Sequence, residues 1–168
     1  MRLSRPSALP RFVAILMLPG LVASGCGWRP PSAPPSEPNK CAPSDGPTPE
    51  TVTSAIDTLP PPPFQTAWRE AARGNATNCR LYWVQISADT GIEAPQEVLF
   101  FDRNTPLGTA TPEPRPYTTV LNAGENTVTV QYQWRENNDP VCCPTGIAQV
   151  RFQIDDGKLK ALDPIPKA

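Results

Sequence analysis

Five cysteines and a scatter of carboxylates carry whatever chemistry this chain can do, because its 168 residues include no histidine. Without an imidazole, Ser-His-Asp and Cys-His catalysis and histidine-ligated metal sites are excluded. No Gly-rich phosphate loop is present. Two carboxylates flanking a bond can hydrolyse a glycoside, and Glu97, Asp102, Asp139, Asp155 and Asp156 are the acids available. A plainer reading prevails for each. Glu97 and Asp102 bracket a strand, and Asp155-Asp156 falls in a hairpin turn, where Asp is favoured for backbone reasons. Asn137-Asn138-Asp139 lacks the spaced ligands and distant Glu of a calcium loop, and reads as a polar turn. The sequence therefore predicts no catalytic residue, no metal and no cofactor.

The cysteine with the clearest chemistry is Cys26. It closes the run Leu21-Val22-Ala23-Ser24-Gly25-Cys26, behind an apolar stretch that starts at Phe12 and is preceded by Arg2, Arg5 and Arg11. A positive start, a short apolar run and small residues before the cut make a secretory signal over 1–25; Phe12 to Val22 is too short to span a bilayer as a helix. The Cys26 thiol is the nucleophile expected to take a diacylglycerol, although Ala23 stands where lipoprotein signals usually carry Leu. Two acyl chains hold where one dissociates, at about 0.8 kcal/mol per buried CH₂. The membrane is thus a partner through the anchor, and the expected address is its extracytoplasmic face.

Residues 26–40 form the lipidated cysteine and a proline-rich tether. Gly27 to Lys40 has no hydrophobic periodicity and is biased to polyproline II, about 3.1 Å per residue, so the linker reaches roughly 40 Å. Beyond it, residues 41–168 are expected to make one domain. The other four cysteines, Cys41, Cys79, Cys142 and Cys143, are even in number in an oxidising compartment, which predicts two disulfides with three possible connectivities. Pairing Cys41 and Cys79 each with one member of the doublet is preferred to a ring between neighbours, since bond geometry disfavours adjacent pairing. A redox-active doublet has little support without C-x-x-C.

The elements that must position these groups begin with a helix. Thr48 is a good N-cap before Pro49, and Val52, Ala55, Ile56 and Leu59 form one apolar stripe until Pro60-Pro61-Pro62-Pro63 stops it. Phe64 to Asn78 is ambiguous, with Gly74-Asn75 read as a turn. Strands follow: Cys79 to Ile86, apolar on both faces and hence covered on both; Glu97 to Asp102, ended by a turn from Asn104 to Gly108; and Tyr117 to Leu121. Thr127 to Trp134 has Val128, Val130, Tyr132 and Trp134 on one face. Ala148 to Ile154 then turns at Asp156-Gly157 into Lys158 to Leu162. The expected fold class is α+β, one N-terminal helix on a twisted antiparallel sheet of five to six strands, stapled by disulfides. Tyr82, Trp83, Phe100, Phe101, Tyr132 and Trp134 read as core, or as a sugar-stacking surface if a sheet face is uncovered.

Charge narrows the partners. Removing the three early arginines leaves 12 basic against 16 acidic side chains. A mildly acidic chain without a basic patch does not bind nucleic acid, where phosphate neutralisation supplies most of the affinity. At Asn78 to Gln85, Leu99 to Asn104, Pro106 to Thr109, Thr127 to Trp134 and Cys142-Cys143-Pro144-Thr145-Gly146-Ile147, the sequence resembles the LppP/LprE family of actinobacterial lipoproteins, nearest its LppP branch. That resemblance implies a lipid-anchored envelope protein and brings no catalytic residues with it. The expected function is a non-enzymatic, lipid-anchored module binding an envelope protein or a cell-wall ligand. The alternatives are a two-carboxylate envelope hydrolase, or an inhibitor or assembly factor docking through the loop from Asn104 to Pro116.

Overall fold

The computed structural model describes residues 40–62, 66–88 and 91–167. After a 3-10 turn at Pro43–Asp45, the chain forms α1 (Pro49–Ile56) and then eight strands: β1 (Arg69–Asn75), β2 (Leu81–Ser87), β3 (Gln96–Asp102), β4 (Thr105–Thr109), β5 (Thr118–Ala123), β6 (Thr127–Trp134), β7 (Gly146–Asp155) and β8 (Lys158–Ala161). Helix α1 starts as its sequence dictates, with Pro49 at N1 and the Thr48 hydroxyl accepting the Thr51 amide at 3.3 Å.

The strands make two four-stranded antiparallel meanders, β1-β2-β3-β4 and β5-β6-β7-β8. This corrects the expected α+β fold: the protein is mostly β, with one short helix, and the strands divide between two sheets instead of lining up in one. Alternation marks a strand and its buried face, but it does not say which sheet a strand joins. Two strands also lack an alternating signature. β1, Arg-Glu-Ala-Ala-Arg-Gly-Asn, is an edge strand exposed along most of its length, so nothing selects an apolar face. β4, Thr-Pro-Leu-Gly-Thr, reads as a turn because it holds Pro106 and Gly108, residues that an edge strand tolerates. Gly108 has φ +127°, and β4 slips register against β3 between Phe100 and Phe101.

Between the sheets lies the main core. Leu81, Val98 and Phe100 from the first meet Val128, Val130, Tyr132, Val150 and Phe152 from the second, and the Phe100 and Phe152 rings sit 5.0 Å apart. The other face of the first sheet presents Tyr82, Val84, Ile86, Leu99 and Phe101, covered by Val52 with Ala55, Ile56 and Leu59. β2 and β3 are therefore apolar on both faces because one side meets a helix stripe and the other a second sheet. The outer face of the second sheet carries the intervening residues of β6, Thr127, Thr129, Gln131 and Gln133, beside the exposed Gln149 and Arg151 of β7. Two indoles lie over glycines across the ladder: Trp83 pairs with Gly74 and Trp134 with Gly146. A Cβ on Gly146 would come within 2.3 Å of the Trp134 ring, so that position admits no side chain while the indole stays put.

The two ends of this sandwich differ. At one, the β1–β2 and β5–β6 hairpins are tied together, Thr77 N–H donating to the Gly124 carbonyl at 2.9 Å and Asn78 N–H to that of Glu125 at 3.0 Å. Cys41 joins Cys79 at the same end, with Cα atoms 5.3 Å apart. At the other, among the described residues, the sheets are joined by a side chain instead, Gln85 Nε2 of β2 donating to the Thr118 carbonyl at the start of β5 at 3.0 Å.

Candidate functional site

Where the second end stays open, β6 runs past the core. Tyr132 is still buried at the base, but Trp134, the next inward residue, is only half-buried and lines a cleft of about 370 Å³. The walls come from three further segments: Glu93 in the β2–β3 loop, Glu113 to Tyr117 in the link between the sheets, and Lys167 near the C-terminus. That link is set by a two-way backbone pairing of Gln96 with Arg115, 2.9 Å each way, and by Arg115 Nη1 donating to the Pro166 carbonyl at 2.6 Å. Arg135 reaches over the mouth to Glu93, with Nη1 3.3 Å from Oε1.

Among the residues that line the cleft, Tyr117 carries the backbone strain. Its φ is +56°, a left-handed backbone that a bulky side chain rarely adopts. What holds it there is its own hydroxyl, which donates to the Val141 carbonyl at 2.7 Å, and the Gln133 N–H, which donates to its carbonyl at 3.1 Å. Backbone strain kept by surrounding contacts collects at binding sites. Val141 belongs to the β6–β7 loop, closed by Asp139: its carboxylate accepts the amides of Glu136 and Thr145, each at 2.8 Å, and the Thr145 hydroxyl at 2.7 Å. The Glu136 amide first, and Thr145 after it, hold the Asp139 carboxyl below its ordinary range. Asn137-Asn138-Asp139 is the polar turn expected, and no group of three or more Cys, Asp and Glu assembles for a metal among the described residues.

Cys142 and Cys143 lie in this loop, exposed and bonded to each other, with the Cys143 N–H donating to the Pro140 carbonyl at 3.0 Å. The preferred pairing of Cys41 and Cys79 with the doublet is therefore corrected. Cys41 and Cys79 sit where β2 begins, the doublet lies beyond the end of β6, and a seven-residue strand separates those ends by roughly 20 Å, far past the reach of a disulfide.

The five acids considered for hydrolysis are dispersed. Asp102 pairs with Arg80, Asp155 with Lys160, and Asp156 occupies the hairpin turn at φ +48°. Glu97 is wholly buried: burial, opposed by the Val98 amide and Thr111, pushes its carboxyl up to about 7. Thr111 Oγ1 lies 2.9 Å from Glu97 Oε2 and 2.8 Å from the Glu113 carbonyl, yet it has one proton to give. A neutral Glu97 donating to Thr111, which then donates to Glu113, satisfies both contacts. Of the six aromatics, Tyr82, Phe100 and Phe101 are core, Trp83 is half-buried over Gly74, Tyr132 is core and forms the base of the cleft, and Trp134 lines the cleft beside Tyr117. The sequence reading missed Glu93, Tyr117 and Arg135 as site residues. The legible hints were Trp134, the last inward residue of the clearest strand, and the loop from Asn104 to Pro116, whose end supplies Glu113 and Arg115 to the cleft. Cys26 lies outside the described residues, and no helix among those described is long and apolar enough to cross a membrane.

Residues 73–157, from β1 to the β7–β8 turn, match the family of LppP/LprE lipoproteins. The chain belongs to the LppP/LprE lipoprotein family. Proteins named as lipoprotein LppP in Mycobacterium bovis and Mycobacterium tuberculosis are 56% identical to it over 149 residues, covering 88% of this chain and 85% of theirs. No solved structure matches. The LppP/LprE match takes in the cleft residues Glu93, Glu113, Arg115, Tyr117, Trp134 and Arg135 together with the cysteine doublet, but stops short of Lys167.

Proposed function

We propose that this protein is a lipid-anchored envelope module that binds a cell-wall saccharide in the open end of its sandwich, without catalysing a reaction. The observation that carries this reading is the cleft itself. Two aromatic side chains, Tyr117 and Trp134, stand among Glu93, Glu113, Arg115, Arg135 and Lys167. Sugars ask for that mixture, since a ring's C–H face stacks on an aromatic plane while its hydroxyls pair with planar polar groups. An acyl chain would leave those polar groups unpaired. The cations are partly committed, Arg135 to Glu93 and Arg115 to the Pro166 carbonyl, which favours an uncharged ligand over an anion.

A lipid on Cys26, followed by the proline-rich stretch from Gly27 to Lys40, would keep the domain at the membrane surface. Cys26→Ala should move the protein from the detergent phase to the aqueous phase; unchanged partitioning would remove the anchor. For the cleft, detergent-solubilised full-length protein is applied to an array of defined neutral and acidic oligosaccharides. Trp134→Ala should weaken binding to neutral glycans about tenfold or more, in line with the loss of one stacked aromatic. Binding indifferent to Trp134 would place the ligand elsewhere. Turnover of a bound glycan would shift the reading to hydrolysis, with Glu93 and Glu113 as the two carboxylates in the cleft.

A further inference from the structure

The cysteine doublet is not a staple between elements, and its position raises the question of what it does. Cys142 and Cys143 are both exposed, in a loop already closed by Asp139 through the Glu136 and Thr145 amides. The residue directly before them, Val141, supplies the carbonyl that accepts the Tyr117 hydroxyl at 2.7 Å. Tyr117 in turn holds a left-handed backbone at φ +56° and forms one wall of the cleft. A bond between neighbouring side chains closes a small ring around the 142–143 peptide and so fixes the direction of the chain at Val141. Cys41 and Cys79 are placed differently: Cys41 is buried at 8% exposure, and the pair joins segments 38 residues apart.

We propose that Cys142–Cys143 is a reducible centre that reacts with a dithiol donor and thereby sets the cleft wall through Val141 and Tyr117. The exchange balances as follows. A thiolate of the donor attacks one sulfur of the pair, forming a mixed disulfide and releasing the other cysteine as a thiolate, which takes up a proton. The donor's second thiol then displaces the first cysteine. The net change is two thiols at Cys142 and Cys143 and one disulfide on the donor. With the ring open, the 142–143 peptide turns freely, the Val141 carbonyl leaves the Tyr117 hydroxyl, and the tyrosine keeps only the Gln133 N–H on its carbonyl and a longer contact of its hydroxyl to Glu93 Oε1 at 3.4 Å. The centre regulates the saccharide cleft and in that respect rests on the proposed function. The chemistry and the movement of the wall do not.

The test uses full-length protein in detergent with dithiothreitol as the donor and needs no ligand. Thiols exposed at each dithiothreitol concentration are alkylated and located by peptide mass. Cys142 and Cys143 should be labelled at a concentration at least tenfold below that needed for Cys41 and Cys79, while far-ultraviolet circular dichroism is unchanged. Equal labelling, earlier labelling of Cys41 and Cys79, or discovery of either doublet cysteine bonded elsewhere overturns the proposal. The same reduction should shift tryptophan emission, and the shift should vanish in Trp134→Phe. A Cys142→Ser/Cys143→Ser variant should show the reduced spectrum from the start. Selective labelling with no change in Trp134 emission overturns the coupling to the cleft. Should both signals appear while no glycan binds, the centre stands and the saccharide reading falls. Should a neutral glycan bind, reduction is expected to change its affinity about tenfold, and an unchanged affinity removes the regulatory role.

Discussion

The closed end of the sandwich and the β6–β7 loop at its other end are fastened in different ways. At the closed end, backbone hydrogen bonds join a hairpin of one sheet to a hairpin of the other, and the Cys41–Cys79 bond spans 38 positions of sequence. At the open end, the fastenings of the β6–β7 loop are mostly local: Asp139 ties residues three and six positions away, and Cys142 is bonded to its neighbour. Long-range fastenings restrain the unfolded chain and hold up the whole domain. Short-range ones shape a few residues and leave global stability almost untouched. On the loop-entropy account the first disulfide is worth about 4 kcal/mol and a bond between neighbours only about 1. The molecule is therefore cross-linked over long range at the closed end and shaped locally in the β6–β7 loop at the other.

The comparison breaks most easily at its cysteines. Replacing Cys41 and Cys79 together by serine should lower the unfolding free energy by about 4 kcal/mol, whereas the same change at Cys142 and Cys143 should cost about 1. Urea denaturation decides it, and equal losses would end the distinction. A second effect, of about 3 kcal/mol, comes from Glu97 in the middle of the molecule. Its carboxyl titrates near 7 when folded, against an ordinary value of 4.5, so the native state binds the extra proton between those limits. The Glu97 contribution to stability should be full below about pH 4.5, fall as pH rises towards 7, and be gone above it; Glu97→Gln should flatten that slope. A slope that survives the substitution assigns it to another group. The smallest change sharpens the contrast: Asp139→Ala should leave the urea midpoint almost where it was while loosening the β6–β7 loop. Hydrogen exchange should quicken at the Glu136 and Thr145 amides, while the amides of Thr77 and Asn78 stay protected. Loss of protection at both ends would mean that the fastenings are coupled.

Much of this architecture could be read from residue order, and the failures are specific. The Thr48-Pro49 start, the stripe from Val52 to Leu59, the alternation in Thr127 to Trp134 and the Asp156-Gly157 turn all appear where local chemistry puts them. β1 escaped because exposed edge residues feel no pressure to alternate, and β4 because Pro106 and Gly108 mimic a turn. The pairing of strands into two sheets is a long-range outcome, and so is the separation of Cys79 from the doublet, which no local pattern encodes. The cleft was harder still. Glu93, Tyr117 and Arg135 belong to three different connections and meet only because both sheets end at one level, while the positive φ of Tyr117 depends on a carbonyl 24 residues away.

The division of the sheets in sequence has a consequence for biosynthesis. β1 to β4 all precede β5 to β8, so neither sheet borrows a strand from the other. A chain threaded outwards from its N-terminus delivers the whole first sheet, with Cys41 and Cys79, before any of the second has emerged. On the export that the proposed function entails, those two thiols meet before the doublet follows, and the wrong partners arrive too late to compete.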